Sequence, residues 1–145
     1  MFNGRFNHTL DEKGRLAIPA RFKDIPSLKE NPCLVVTNHL DCLWAFTKDG
    51  WHGIQDRIAK MSLMNEQLRS LRLFFISGAK ECPIKQGRIT LPPELREVAG
   101  LQKDVMLVGG ITYFEIWDKS RWDEAFNRAR EDFRASGQVF ADLGI

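Results

Sequence analysis

The 145-residue sequence predicts an α+β protein built from two copies of one small unit. Three observations carry that expectation. Residues 11–23 read DEKGRLAIPARFK and residues 84–96 read IKQGRITLPPELR. Gly14 aligns with Gly87, Arg15 with Arg88, Leu16 with Ile89, Ile18 with Leu91, Pro19 with Pro92 and Phe22 with Leu95, all at one offset of 73 residues. Each copy is followed by short apolar runs suited to strands, and then by charged segments whose apolar residues recur at helical spacing.

The elements follow in order. Phe6, His8 and Leu10 alternate with polar residues and predict a strand over Phe6–Leu10. Asp11-Glu12-Lys13-Gly14 is a hairpin turn, because Asp accepts backbone N–H bonds and Gly tolerates positive φ. Arg15 to Pro19 returns as a short strand, ended by a proline that has no N–H to donate. Strands over Leu34–Thr37 and Leu43–Phe46 come next. A helix from Lys48 to Met61 carries Trp51, Ile54, Ile58 and Met61, and a second from Asn65 to about Phe74 carries Leu68, Leu71 and Phe75.

The second copy repeats this order. Ser77–Pro83 leads to the turn, Arg88–Leu91 is a strand, and Pro92-Pro93 opens a short helix ended by Gly100. Strands over Val105–Val108 and Tyr113–Trp117 mirror the earlier pair. Ser120 with Asp123 resembles a capping box for a helix bearing Trp122, Phe126, Ala129 and Phe133. Core packing is the expectation for Trp122 and Phe126, whereas Phe133 is divided between core and a neighbouring molecule. The expected organisation is a first repeat with helices (1–74), a second repeat with its C-terminal helix (75–135) and a loosely ordered tail (136–145).

Composition narrows the function classes. At 43% hydrophobic and 28% charged, the chain has the make-up of a globular protein. No charged and then apolar leader opens it, and its apolar runs are too short to span a bilayer. No membrane partner is expected, and the cytoplasm is the natural compartment. Cys33, Cys42 and Cys82 form no CxxC pair and are odd in number, so no disulfide framework is expected. The spacing of Cys33, His39 and Cys42 matches no common zinc site, and no cofactor is expected. A Cys–His nucleophile from Cys42 with His39 or His52 lacks an oxyanion site and an orienting third group, so no enzyme is expected.

Charge is localised in the repeated phrase. Arg5, Lys13, Arg15, Arg21 and Lys23 face only Asp11 and Glu12 within residues 1–23. Lys85, Arg88 and Arg96 face only Glu94 within residues 84–96. Local positive charge binds polyanions even when the net charge is as small as +2. Arg15 offers a planar donor fork for a phosphate or a guanine edge, and Lys13 a point charge for the backbone. Lys85, Gln86 and Arg88 offer the same chemistry in the second copy. The competing structural reading is a solubilising turn in which Arg15 merely pairs with Asp11.

The phrase DEKGRLAIPARF, with its D-x-x-x-R core at Asp11 and Arg15, resembles the MraZ family of bacterial transcriptional regulators, related to the AbrB superfamily. FFISGAKECPIKQGRITLPPELREVAGL and VMLVGGITYFEIWDKSRW are similar to that family's second half. The resemblance implies two swapped-hairpin β-barrel halves with flanking helices, assembled as a ring homo-oligomer such as an octamer or dodecamer. It implies binding to double-stranded DNA at short G-containing direct repeats in a promoter, upstream of the chain's own division and cell-wall gene cluster. The family's DNA-binding loop falls on Lys13 and Arg15, shaped by Asp11 and Gly14. Its second copy falls on Lys85 and Arg88, shaped by Gly87, with Gln86 a further donor. Ile84 stands where that copy usually carries Asp, so the second loop lacks the brace. Arg5 and Arg21 are auxiliary phosphate contacts or braces of the fold. The rival reading is a ring-forming interaction module that binds no DNA.

Overall fold

The computed structural model describes residues 1–61 and 64–145. In the first repeat, β1 (Arg5–Thr9) and β2 (Arg15–Ala17) precede two short helices, α1 (Ala20–Lys23) and α2 (Pro26–Glu30). The β-branched and aromatic runs that suit a pleated surface then form β3 (Cys33–His39) and β4 (Cys42–Thr47). Helix α3 (Lys48–Ala59) starts at Thr47, whose hydroxyl accepts the Gly50 N–H. Helix α4 (Glu66–Ser70) runs directly into a π-helical segment, Leu71–Ile76. The second repeat supplies β5 (Lys80–Pro83), β6 (Arg88–Thr90), α5 (Pro93–Val98), β7 (Asp104–Gly109), β8 (Phe114–Asp118), α6 (Lys119–Phe133) and α7 (Gly137–Leu143).

Six strands form one antiparallel sheet in the order β1-β7-β8-β4-β3-β5, and β2 with β6 forms a separate two-stranded ribbon. Each repeat gives its first strand to the other: β1 lies on β7, and β5 lies on β3. This corrects the simple hairpin expected for Phe6–Leu10 and Arg15–Pro19. Between β1 and β2 there remain a bridge from Leu10 to Leu16 and the His8 Nδ1–H bond to the Ala17 carbonyl at 2.6 Å. A two-stranded hairpin alone is marginal in water, and the exchange joins the apolar faces of both repeats in one core. The strands form an open sheet plus a ribbon rather than a closed barrel.

A pseudo-two-fold axis relates the repeats. In the ribbon, Leu16 faces Ile89, with Arg15 opposite Thr90 and Ala17 opposite Arg88. Exchanging the copies maps this ladder onto itself. The same holds for β4 and β8, where Leu43 faces Ile116 and Ala45 faces Phe114 about the Trp44–Glu115 pair. The axis also exchanges two bonds: Ile18 N–H to the Gly87 carbonyl (2.9 Å) and Leu91 N–H to the Gly14 carbonyl (2.8 Å).

The core lies between the ribbon and the sheet. Leu16, Phe22, Leu34, Leu43, Ile89, Leu95, Leu107, Phe114 and Ile116 are fully buried there, each worth about 1.5–3 kcal/mol in transfer terms. Phe22 packs edge-on to Phe2 at 5.0 Å and tilted on Phe114 at 4.8 Å. On the opposite sheet face a second cluster gathers Val35, Phe46 and Trp51 beneath α3, with Phe75 and Ile76 of the π-helical segment packed against it.

Three helix expectations need correction. Helix α6 is capped by Asp118, whose carboxylate accepts N–H bonds from Arg121 and Gln102, rather than by Ser120 with Asp123. Its apolar stripe is not core: among α6 residues none is buried, Phe126 is 37% exposed and Phe133 60%. Residues 136–145, expected as a loose tail, contain α7, held to α6 by an edge-on contact between Phe133 and Phe140 at 4.8 Å. Helical spacing identifies an apolar face but says nothing of whether the chain supplies its partner.

Candidate nucleic-acid interface

The ribbon β2–β6 turns Leu16 and Ile89 inward and Arg15, Ala17, Arg88 and Thr90 outward. Strand alternation dictates this, since neighbouring side chains point to opposite faces. Arg15 and Arg88 are diagonal neighbours on the outer face, with α-carbons about 7–8 Å apart by ordinary sheet geometry. Only Ala17 and Thr90, both small, share that face.

The first loop is a braced turn. The Gly14 N–H donates to the Asp11 carbonyl at 3.0 Å and the Asp11 N–H to the Arg15 carbonyl at 3.1 Å. Gly14 sits at φ +80, a region side chains enter at a cost. One oxygen of the Asp11 carboxylate accepts the N–H groups of Lys13 (2.9 Å) and Arg15 (2.8 Å). The other accepts Arg15 Nε–H at 2.7 Å. The Arg15 N–H foremost, with its guanidinium and the Lys13 N–H, holds the Asp11 carboxyl below the ordinary carboxylate range. Only one edge of the guanidinium is used, and its terminal Nη groups have no partner among the described residues. Brace and free fork coexist in one side chain.

The second loop is tighter and unbraced. Lys85 N–H donates to the Arg88 carbonyl (2.8 Å) and Arg88 N–H to the Lys85 carbonyl (3.0 Å), closing a turn with Gln86 at φ +52 and Gly87 at φ +75. Two consecutive positive φ values mark a type I′ turn. Ile84 stands half-buried against the core instead of offering a carboxylate. Lys85, Gln86 and Arg88 all lie at the surface around this turn, with Arg88 on the outer face of the ribbon.

The remaining candidates separate. Arg21 is exposed on α1. Arg5 extends its guanidinium over the Phe126 ring, 5.0 Å from the centroid, and so ties β1 to α6. Two cations that the sequence shows only as part of the phrase's positive charge join the loops. The Arg96 guanidinium lies 2.9 Å from where a Cβ on Gly14 would stand, with its Nε–H bonded to the Leu91 carbonyl at 3.1 Å. Lys23 Nζ lies 3.0 Å from the corresponding point at Gly87. Lys23 and Arg96 occupy equal places in the repeated phrase, so each repeat sends a cation to the other's glycine. The signal was present in the matched pairs Phe22-Lys23 and Leu95-Arg96.

The other constellations are quieter. Cys33, Cys42 and Cys82 are buried free thiols, and burial pushes all three up, Cys82 to about 12. His39 stacks on Trp44 at 3.7 Å, and its burial disfavours the charged imidazolium. No group of three or more His, Cys, Asp or Glu residues able to hold a metal occurs among the described residues. No described helix is long and apolar enough to cross a membrane.

The family model described as "MraZ protein, putative antitoxin-like" matches residues 1–74 and 75–140. Curated relatives named transcriptional regulator MraZ align over essentially their whole length. That of Moorella thermoacetica is 40% identical over 147 aligned positions, covering 100% of both chains. That of Natranaerobius thermophilus is 38% identical with the same coverage. That of Syntrophobacter fumaroxidans is 37% identical, over 99% of this chain and 97% of the relative. With a repeated α+β architecture and a family match running through both halves, this chain belongs to the MraZ family.

Proposed function

We propose that this chain is a DNA-binding transcriptional regulator whose β2–β6 ribbon faces a duplex. The single observation that carries the reading is the Arg15 side chain, fixed at Nε by Asp11 while its terminal Nη fork points outward. A fork held in place loses less freedom on binding, and two N–H donors match guanine O6 and N7 or a phosphate. Arg15 is the leading contact and Lys13 a phosphate contact beside it. Arg88, Lys85 and Gln86 form the second grip, and Arg21 is auxiliary. Arg5 is a brace of α6. Asp11, Gly14 and Gly87 shape the loops. No catalytic role or cofactor belongs to this reading, and the compartment is the cytoplasm, on the nucleoid.

The finer reading concerns assembly and site. The exchange of β1 and β5 supports a swapped-hairpin origin for the two halves. A ring of head-to-tail subunits would present its ribbons in one direction, which suits short G-containing direct repeats rather than inverted ones. Such repeats upstream of the chain's own division and cell-wall cluster are the proposed target. Each subunit contributes only a few contacts, so affinity rests on several subunits engaging together. Apolar side chains exposed on α6 and α7, among them Phe126, Phe133 and Val139, supply surface for self-association.

The test is a titration of a fluorescent duplex from the region upstream of the chain's own gene, at low and moderate salt. Binding is expected to weaken steeply with salt, and Arg15→Ala is expected to lower it to the level of a scrambled duplex with assembly unchanged. Full binding by Arg15→Ala would favour the interaction module that uses no DNA.

A further inference from the structure

The two loops carry different side chains at their tips, and one tip holds an acid that the fold leaves unused. In the first loop Asp11 and Gly14 close the turn, so Glu12 and Lys13 occupy its two outermost positions. Asp11 is fully engaged: one carboxylate oxygen accepts two backbone N–H groups and the other accepts Arg15 Nε–H. Glu12 is exposed, and its carboxylate has no hydrogen bond or ion pair among the described residues. Arg96 and Lys103 line a groove beside it, yet neither pairs with it. The second tip carries Gln86, at φ +52, in place of an acid.

A carboxylate on a loop that meets a polyanion is repelled by every phosphate it approaches. That repulsion is the same for all sequences, so it lowers binding without choosing a site. One set of partners reverses its sign. In the major groove guanine offers O6 and N7 and thymine offers O4, all acceptors, whereas cytosine N4 and adenine N6 carry amine donors. A carboxylate only accepts, and its customary partner there is cytosine N4. The distance fits as well. A β-turn brings its ends within about 7 Å, and stacked bases rise by about 3.4 Å, so Glu12 and Arg15 reach base pairs about two steps apart or fewer.

We propose that Glu12 is a specificity-determining residue, accepting a hydrogen bond from the N4 amine of a cytosine near the guanine held by Arg15. This rests on the DNA-binding reading above and deepens it, by giving the first loop a second base contact of opposite polarity. Arg15 donates to a purine edge and Glu12 accepts from a pyrimidine amine, while Lys13 between them holds the backbone. A site with cytosine at that position gains a bond. A site with thymine or guanine there sets an acceptor against the carboxylate and is rejected. The Gln86 tip has no such preference of sign, because a carboxamide both donates and accepts.

The test titrates the full chain with the upstream duplex, a scrambled duplex and a set of duplexes each changed at one base pair. The guanine read by Arg15 is the one whose replacement no longer matters in Arg15→Ala. For the wild type, replacing one C·G pair within two steps of that guanine is expected to weaken binding about 5- to 150-fold. Glu12→Ala is expected to bind the scrambled duplex more tightly and to lose sensitivity at that pair, while the guanine stays sensitive. Glu12→Gln, whose carbonyl oxygen still accepts from an amine, is expected to keep most of the sensitivity. An equal gain by Glu12→Ala on upstream and scrambled duplexes, with its pair-by-pair profile unchanged, leaves only repulsion and overturns the proposal. A wild type with no sensitive C·G pair in that range overturns it too. A wild type that fails to distinguish the upstream from the scrambled duplex sinks the DNA-binding reading itself. A preference that depends on Arg15 but not on Glu12 sinks this proposal alone.

Discussion

The two loops descend from one phrase yet solve the same problem differently. The first uses a carboxylate for order: Asp11 gathers two backbone N–H groups and one edge of Arg15. The second has Ile84 in that place, and closes instead by a type I′ turn that forces Gln86 into positive φ. Positive charge follows the same division. Around the first loop Lys13, Arg15 and Arg96 are offset by Asp11 and Glu12. Around the second, Lys23, Lys85 and Arg88 meet no loop acid, and the nearby Glu94 pairs with Lys80 at 3.6 Å. A pre-set fork suits reading a base edge, whereas mobile cations suit the phosphate backbone. Under the proposed function, duplication supplies two grips and divergence splits their tasks.

The largest effect should come from Arg15→Ala. Each bidentate arginine–guanine pair is worth about 1–3 kcal/mol, so the intrinsic affinity of one subunit should fall about 5- to 150-fold, compounded across subunits. Titration of the upstream duplex measures it. Next comes Gly14→Ala, where a Cβ would lie 2.9 Å from both the Arg96 guanidinium and the Leu91 carbonyl, at a φ of +80. Strain of about 1–3 kcal/mol should lower the thermal midpoint and loosen Arg15 together. Gly87→Ala meets only the mobile end of Lys23 at 3.0 Å and should cost less, although its φ is also positive.

Arg88→Ala should weaken operator and scrambled duplexes alike and flatten the salt dependence by about one unit of slope for each phosphate left without its cation. Acid separates the loops in another way. A carboxylate with a depressed folded pKa contributes order that is present above the ordinary carboxylate value and disappears as pH falls through the lower folded one. The Asp11 brace should therefore persist through neutral and mildly acid pH and fail only below the usual carboxylate range. The amide shifts of Lys13 and Arg15 should move in that window, and those of Gln86 and Arg88 should not. The smallest effect is Gln86→Asn, which suits positive φ better and should raise stability by a few tenths of a kcal/mol, about 0.5 at most. Equilibrium unfolding in urea resolves it.

Much of this was legible in the sequence. The repeated phrase gives the duplication, and Pro19, Pro92 and the turn glycines bound the strands because each has a local physical requirement. Asp11 and Arg15 announce their brace through a spacing that a turn brings together. What stayed hidden needed a partner distant in the chain. Alternation says which face Phe6 and Leu16 present, but not that β1 lies on β7 or β2 on β6. Lys23 and Arg96 look like ordinary helix-end cations until the pseudo-two-fold axis carries each to the other repeat's glycine. The α6 stripe misled for the same reason, since Trp122 and Phe126 have the spacing of core residues, yet Trp122 stays half-buried against Trp117 and Phe126 is exposed beside Arg5.

The division of labour is tested most directly by measuring how each variant discriminates an upstream duplex from a scrambled duplex of equal length and charge. Arg15→Ala is expected to bring the two affinities together, while Arg88→Ala lowers both and keeps their ratio. Equal loss of discrimination in both variants, or none in Arg15→Ala, would contradict the account.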